Sequence, residues 1–124
     1  MDKLFIEGTR KTPTVVLDPS GNISIKGRSI PEDAKQFYEK IMNWLKDYVS
    51  SPVEKTTIDL AFEYLNSGTS KFVLEILDLL KELLQQDNQL IINWYYEEGD
   101  DDILERGEYY SSILDLKINY FEIE

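Results

Sequence analysis

The sequence predicts an α/β protein in which helices pack against one mixed β-sheet. Three observations lead to this class. Short alternating apolar and polar segments open the chain, two amphipathic helical segments follow, and each of these is succeeded by another strand-like segment. The order is β-β-β-α-β-α-β-(α)-β, and strands joined through helices are expected to lie parallel with right-handed crossovers. A chain of 124 residues has the length of one domain, so residues 1–124 are expected to form a single domain.

The N-terminal segments predict a β-hairpin. Leu4–Thr9 and Thr14–Asp18 have the composition of short strands. The sequence "DPSGN" that follows is typical of a turn, because proline presets φ and Gly21 permits a positive φ. Ile23–Gly27 alternates apolar and polar residues, as a half-buried strand does.

The first helix is predicted within "RSIPEDAKQFYEKIMNWLKDYVSS", residues 28–51. Ser29 and Glu32 have the spacing of a capping box, S-x-x-E, which predicts that the helix begins near Ser29. Pro31 would then lie in the first turn, where its missing N–H costs little. Apolar residues recur at intervals of three and four and form one face: Ala34, Phe37, Tyr38, Ile41, Leu45 and Tyr48. Pro52 marks the end of the segment.

The second half alternates strands and helices. Thr56–Leu65 has alternating apolar residues and predicts a strand, and Lys71–Asp87 has one apolar face and predicts the second helix. Gln89–Tyr96 is almost wholly apolar, which predicts a central strand buried on both faces. Asp101–Leu114 has the pattern of a short helix, and Leu116–Ile123 alternates and is expected to close the sheet.

The composition excludes several classes of function. The net charge is −11, with 24 acidic and 13 basic residues, so nucleic acids and anionic membranes are not expected as partners. The chain has neither cysteine nor histidine, which removes disulfides, thiolate nucleophiles, histidine bases and the metal sites built from these residues. We expect no cofactor. No secretory signal or membrane-spanning run is apparent, so a cytoplasmic location is expected.

A polar cluster separates the fourth strand from the second helix: Asn66, Ser67, Gly68, Thr69, Ser70 and Lys71. It is not a Walker A loop, because it has one glycine and the lysine does not follow a second one. It is not a nucleophile elbow either, because G-x-S-x-G is absent and the chain has no histidine to deprotonate a serine.

Two interpretations of this cluster stay open. Asn66 or Ser67 can cap the helix, but one residue suffices for that role. The first turn of the helix carries no acidic residue, although the chain is acidic and helix starts favour such residues. A phosphate added here would meet free N–H groups and Lys71, so the cluster also fits a phosphoacceptor or partner site.

A second cluster follows the apolar strand in "YYEEGDDDILERGE" and is strongly acidic. Its carboxylates are Glu97, Glu98, Asp100, Asp101, Asp102, Glu105 and Glu108. They suit a hard cation, but the EF-hand pattern is absent. The remaining interpretations are a solvated face or an acidic edge that binds basic residues of a partner. If the two preceding strands are parallel, both clusters lie at the carboxyl end of the sheet, where sites in α/β proteins gather.

Four segments in order resemble one known family. They are "IEGTRKTPTVVLD", "IKGRSIPEDAKQFY", "YLNSGTSK" and "NWYYEEGDDDILERGE", and together they span nearly the whole chain. This arrangement is similar to the SiaC-type regulatory phosphoproteins. The resemblance implies a STAS-like α/β fold and a switch controlled by phosphorylation. It implies a cognate Ser/Thr kinase, a PP2C-type phosphatase and, as in the founding system, a diguanylate cyclase that the unphosphorylated form binds and activates, which raises cyclic di-GMP and promotes biofilm.

The resemblance also assigns site residues. The family's phosphoacceptor directly follows the asparagine of its Y-[FL]-N-[TS]-S-[SA]-x-K motif, a position that Ser67 occupies here in place of the commoner threonine. Thr69 and Ser70 are rival acceptors, and Asn66, Gly68 and Lys71 would support the site, although Gly68 stands where the family usually has a hydroxyl. The predicted partner surface comprises Arg28, Trp94, Glu97, Glu98, Asp100, Asp101, Asp102 and Glu105.

We therefore expect a non-enzymatic regulatory phosphoprotein that acts as a reversible binding module in bacterial signalling. Two alternatives stay open. One is a constitutive scaffold in which Ser67 only caps the helix. The other is a carboxylate-based, Mg²⁺-dependent enzyme at Asp100–Asp102.

Overall fold

A computed structural model describes residues 1–124 of the protein. The chain forms six strands and four helices, in the order β1 (Leu4–Ile6), β2 (Thr14–Asp18), β3 (Asn22–Ser29), α1 (Ala34–Ser50), β4 (Lys55–Leu65), α2 (Ser67–Leu80), α3 (Glu82–Gln85), β5 (Gln89–Glu97), α4 (Asp101–Leu114) and β6 (Asn119–Ile123). None of the helices has both the length and the apolar character that crossing a membrane requires.

The strands form one mixed sheet in the order β1-β2-β3-β4-β5-β6. The pairs β1–β2 and β2–β3 are antiparallel, and the next three pairs are parallel. The β2–β3 turn closes as predicted: Gly21 has φ of +99° and donates its N–H to the Asp18 carbonyl at 2.9 Å. The predicted α/β class, with an N-terminal hairpin and a mixed sheet, is confirmed.

One face of the sheet carries the hydrophobic core. Alternate strand residues such as Ile25, Ile58, Leu60 and Ile92 are buried and pack with the apolar sides of the helices in a single cluster. The intervening strand residues stay partly exposed. This arrangement corrects one prediction. β5 is an internal strand, paired with β4 on one side and β6 on the other, but it is not buried on both faces, because the helices cover only one.

The start of α1 differs from the prediction. Ser29 is the last residue of β3 and is fully buried, so it does not cap the helix. Asp33 is the N-cap, and its carboxylate accepts the N–H of Gln36 at 3.0 Å. Pro31 precedes the helix. The hydroxyl of Ser29 is held by contacts distant in sequence, which the S-x-x-E pattern cannot reveal.

The second helix is also shifted. α2 begins at Ser67, four residues before the predicted start, and ends at Leu80. The short α3 follows, and the chain turns at Asp87 with φ of +62°. The early start matters for the site, because it places the polar cluster inside the first turn of the helix.

Candidate functional site

The end of β4 and the start of α2 lie at the carboxyl edge of the parallel strands. The end of β5 and the start of α4 lie at the same edge, because β4 and β5 are parallel. The predicted placement of the polar and acidic clusters at one end of the sheet is therefore confirmed. This is where sites in α/β proteins usually form.

Asn66 is the residue that caps α2. Its side-chain oxygen accepts the N–H of Thr69 at 2.9 Å, and its backbone N–H donates to the Ser29 carbonyl at 3.0 Å. Its amide nitrogen also donates to the Pro31 carbonyl at 3.4 Å. These bonds fix the junction to the end of β3 and to the loop before α1. Since Asn66 performs the capping, Ser67 is not needed for it.

The three hydroxyls of the cluster have different surroundings. Thr69 is fully buried; its hydroxyl bonds the hydroxyl of Ser29 at 2.8 Å and donates to the Ser29 carbonyl at 3.1 Å. Ser70 is half-buried and shares a 2.8 Å bond with the hydroxyl of Tyr110, which can also donate to the Ser70 carbonyl at 2.8 Å. Ser67 is exposed and its hydroxyl makes no hydrogen bond within the chain. Only Ser67 presents a free hydroxyl to another protein.

A buried polar network lies beneath Ser67. The hydroxyl of Ser29 bonds the Tyr38 hydroxyl at 2.7 Å as well as Thr69, so β3, α1 and α2 meet at one point. Burial raises the pKa of Tyr38 to about 12, and the bonds from Ser29 and Thr69 offset part of that shift. No buried side-chain polar atom is left without a partner, so the network is fully satisfied and rigid.

Gly68 allows α1 and α2 to begin close together. A Cβ atom at this position would lie 3.0 Å from the Cβ of Ala34, in the first turn of α1. This distance is shorter than ordinary van der Waals contact. The glycine therefore has a packing role at a position where the resembling family usually carries a hydroxyl.

The acidic cluster forms the start of α4. Asp100 is the N-cap and accepts the N–H of Ile103 at 3.1 Å, while Asp101 and Asp102 lie in the first turn. Negative charge is favourable at a helix N-terminus. No three of the carboxylates come together in an arrangement that could hold a metal ion.

A groove of about 380 Å³ opens between the end of β4 and α4. Its lining residues are Tyr64, Leu65, Asp100, Asp102, Ile103, Glu105, Arg106 and Tyr109. Tyr64 and Tyr109 are 53% and 51% exposed, so aromatic surface and carboxylates lie side by side. Leu65 is the last residue of β4 and lies two residues before Ser67, so the groove reaches the junction between β4 and α2.

Five residues of this groove were not among the predicted site residues: Tyr64, Leu65, Ile103, Arg106 and Tyr109. Tyr64 continues the apolar alternation of β4, a pattern that indicates burial, yet near the end of the strand its side chain is exposed. Arg106 and Tyr109 lie in the segment Asp101–Leu114, in which acidic residues are the most prominent feature of the sequence. Their separation by three residues on one helix was the available signal.

Two residues of the predicted partner surface lie elsewhere. Trp94 is fully buried and donates its indole N–H to the Ile103 carbonyl at 2.9 Å, so its assignment to a partner surface is wrong. Its aromatic ring anchors α4 to the sheet. Arg28 is exposed on β3, but it lines a separate cavity with Arg10 and Lys11. The structure does not bring Arg28 into the groove beside the acidic residues. Glu97, Glu98 and Glu105 are exposed, as predicted.

Comparison with known proteins identifies relatives along the whole chain. The model of the SiaC family of regulatory phosphoproteins matches residues 6–123. An uncharacterised protein of Pseudomonas aeruginosa strain UCBPP-PA14 is 29% identical over 109 residues, which cover 87% of this chain and 86% of that protein.

Solved structures agree in fold over nearly the full length. The crystal structure of apo-SiaC from Pseudomonas aeruginosa is similar with a TM-score of 0.86 and 26% identity, and all of both chains is covered. The crystal structure of the diguanylate cyclase SiaD in complex with its activator SiaC, from the same organism, contains a chain with a TM-score of 0.89 and 26% identity. That match covers 97% of this chain and 99% of the other.

Proposed function

Because this chain belongs to the SiaC family of regulatory phosphoproteins, we propose that it is a binding protein switched by phosphorylation of Ser67. In its unphosphorylated form it binds and activates a target enzyme, and the phosphorylated form releases it. The observation that carries the proposal is the contrast among the three hydroxyls. Thr69 and Ser70 are engaged in hydrogen bonds inside the protein, whereas Ser67 is exposed and unbonded.

The surroundings of Ser67 favour a phosphate. The first turn of α2 contains no acidic residue, and its free N–H groups carry a partial positive charge. Lys71 lies one turn further along α2 and is exposed. A phosphoserine carries a charge of about −1.5 to −2 at neutral pH and would be accepted at such a position without disrupting the helix.

The groove beside Ser67 supplies the binding surface for the target. Aromatic side chains of Tyr64 and Tyr109 can pack against apolar groups of a partner, while Asp102 and Glu105 can pair with basic ones. By likeness to the SiaC of the SiaD complex, the target is a diguanylate cyclase. A dianion on Ser67 adds charge and bound water at the edge of this surface and therefore weakens docking.

The switch requires two further partners. A Ser/Thr kinase adds the phosphate, and a PP2C-type phosphatase removes it. We assign no catalytic role to the chain itself, because its family is one of regulatory phosphoproteins and the SiaC of the SiaD complex is an activator of another enzyme. The competing hypothesis is a constitutive scaffold, in which the charge at position 67 has no effect on binding.

Intact-mass spectrometry after incubation with the cognate kinase and ATP tests the assignment. We expect one phosphate on the natural protein and none on Ser67→Ala. Thr69→Val and Ser70→Ala are matched controls that remove the rival hydroxyls, and both should still accept one phosphate. Full phosphorylation of Ser67→Ala, or its loss in a folded Thr69→Val protein, would refute the assignment of Ser67.

Titration calorimetry with a diguanylate cyclase from the organism that encodes this protein distinguishes the phosphorylation switch from the constitutive scaffold. Ser67→Asp should weaken binding at least several-fold relative to Ser67→Asn, which has the same shape without the charge. Equal affinities of the two variants would favour the scaffold.

A further inference from the structure

Arg106 on α4 carries a charge that the protein does not use internally. It is exposed and forms neither an ion pair nor a hydrogen bond; the single ion pair of the chain joins Lys11 and Glu32. Three carboxylates, Asp100, Asp102 and Glu105, line the same groove, and none of them pairs with Arg106. The guanidinium is therefore free to bind another anion.

Arg106 lies on α4 and Ser67 on α2, and these two helices are in contact at this end of the sheet. Arg106 lines the groove together with Leu65, which is two residues before Ser67 in the chain. The bond between Ser70 and Tyr110 ties the first turn of α2 to α4, and Tyr110 lies one turn beyond Arg106. Burial raises the pKa of Tyr110, while the bond with Ser70 and the nearby charge of Arg106 offset part of that rise. The positive charge of Arg106 therefore acts on Tyr110, the residue through which α4 contacts α2.

We propose that the Arg106 guanidinium binds the phosphate on Ser67. This inference rests on the proposed function, which assigns Ser67 as the phosphoacceptor. A guanidinium donates two parallel N–H bonds to a phosphate, and charge-assisted bonds of this kind are stronger than neutral ones. Lys71 offers a single point charge on α2 and is the weaker partner.

The pairing explains how a small modification alters a larger surface. Arg106 lines the groove together with the exposed rings of Tyr64 and Tyr109. When it binds the phosphate, the guanidinium is drawn towards Ser67 and crosses the mouth of the groove. The aromatic surface offered to the target is then covered by the protein's own side chain.

The test measures the second pKa of the phosphate by ³¹P NMR on full-length protein. Phosphoserine is placed at position 67 by genetic encoding, so the measurement does not depend on the kinase. A phosphoserine without a cationic partner has a second pKa of about 6. We expect a lower pKa in the natural background and a rise of about half a unit or more in Arg106→Gln, because a nearby positive charge stabilises the dianion.

Two further variants make the result specific. Arg28→Gln removes the same charge from the separate cavity on β3 and should leave the phosphate pKa unchanged. Arg106→Lys keeps the charge but loses the forked geometry, and should restore part of the shift. An unchanged pKa in Arg106→Gln, an equal rise in Arg28→Gln, or a rise confined to Lys71→Gln would overturn the proposal.

The outcome is independent of the proposed function's own test. If the kinase does not modify Ser67, the phosphoacceptor assignment fails, while the encoded phosphoserine still reports whether Arg106 binds a phosphate there. If the kinase modifies Ser67 but the phosphate pKa is unchanged in Arg106→Gln, the phosphorylation switch stands and Arg106 is not the partner of the phosphate.

Discussion

Ser67, Thr69 and Ser70 carry the same functional group within four residues and differ only in what surrounds them. Thr69 bonds Ser29, which is 40 residues away in sequence, and Ser70 bonds Tyr110 at the same separation. The hydroxyls of Thr69 and Ser70 are hydrogen-bonded within the protein, whereas that of Ser67 is exposed. Ser67 therefore differs from Thr69 and Ser70 in its surroundings alone, because its hydroxyl is exposed and theirs are hydrogen-bonded inside the protein.

The buried Tyr38 makes stability depend on pH in the alkaline range. Its pKa is raised to about 12 in the folded protein, whereas an exposed tyrosine titrates near 10. The folded state thus favours the neutral phenol, and its contribution is complete below pH 10 and is lost as the pH rises towards 12. We expect the free energy of unfolding to fall by about 2 kcal/mol over this range on account of this residue.

Urea denaturation at several pH values checks this expectation. Tyr38→Phe cannot ionise and should show a smaller decline between pH 10 and 12, although it is less stable at neutral pH through loss of the bond with Ser29. Tyr64→Phe removes an exposed phenol and should decline like the natural protein. An identical decline in Tyr38→Phe would contradict the assignment.

The position of α4 depends on one close contact between elements. Gly107 lies against the ring of Trp94, and a Cβ atom there would come within 2.8 Å of the indole. Trp94 in turn bonds the Ile103 carbonyl and packs edge-to-face with Tyr110, at 5.8 Å between ring centroids. Gly107 therefore sets how closely α4 approaches the sheet. Because residues of α4 line the groove, this distance also affects the shape of the groove.

Gly107→Ala is expected to destabilise the protein by about 1–3 kcal/mol, because the added methyl group forces Trp94 or α4 to move. The higher helix propensity of alanine, worth about 1 kcal/mol, opposes this effect without cancelling it. Thermal denaturation followed by circular dichroism measures the change. Ser112→Ala, on the exposed side of α4, is the control and should be neutral or slightly stabilising. A stabilised Gly107→Ala protein would show that the contact is looser than described.

The whole molecule is acidic, but its charges are not equivalent. The net charge of −11 disfavours the binding of nucleic acids and anionic surfaces to the protein as a whole, whereas the carboxylates at the start of α4 lie beside an aromatic groove. The helices cover one face of the sheet and bring both clusters to its carboxyl edge. The fold therefore places part of the acidic charge of the chain at one defined position, the start of α4.

Neutralising both carboxylates, as Asp102→Asn with Glu105→Gln, should slow association with the proposed cyclase target about three- to tenfold at low salt, because charges at an interface act mainly on the rate of encounter. The difference should shrink as salt is added. Surface plasmon resonance at two ionic strengths measures both effects. The control is Asp47→Asn with Glu54→Gln, which removes the same charge at α1 and at the loop before β4. An equal loss in the control would assign the effect to net charge alone.

The order of the elements was determined by the sequence, because periodicities of two and 3.6 residues are local properties of the chain. The acidic character and the absence of histidine and cysteine were equally plain, and the resemblance to a family directed attention to Ser67. Tertiary structure decided the rest. Ser29 ends a strand instead of starting a helix, Trp94 is buried instead of exposed, and Arg106 lines the groove between β4 and α4. Each of these depends on contacts between residues far apart in the chain, and such contacts leave no periodic signal in the sequence.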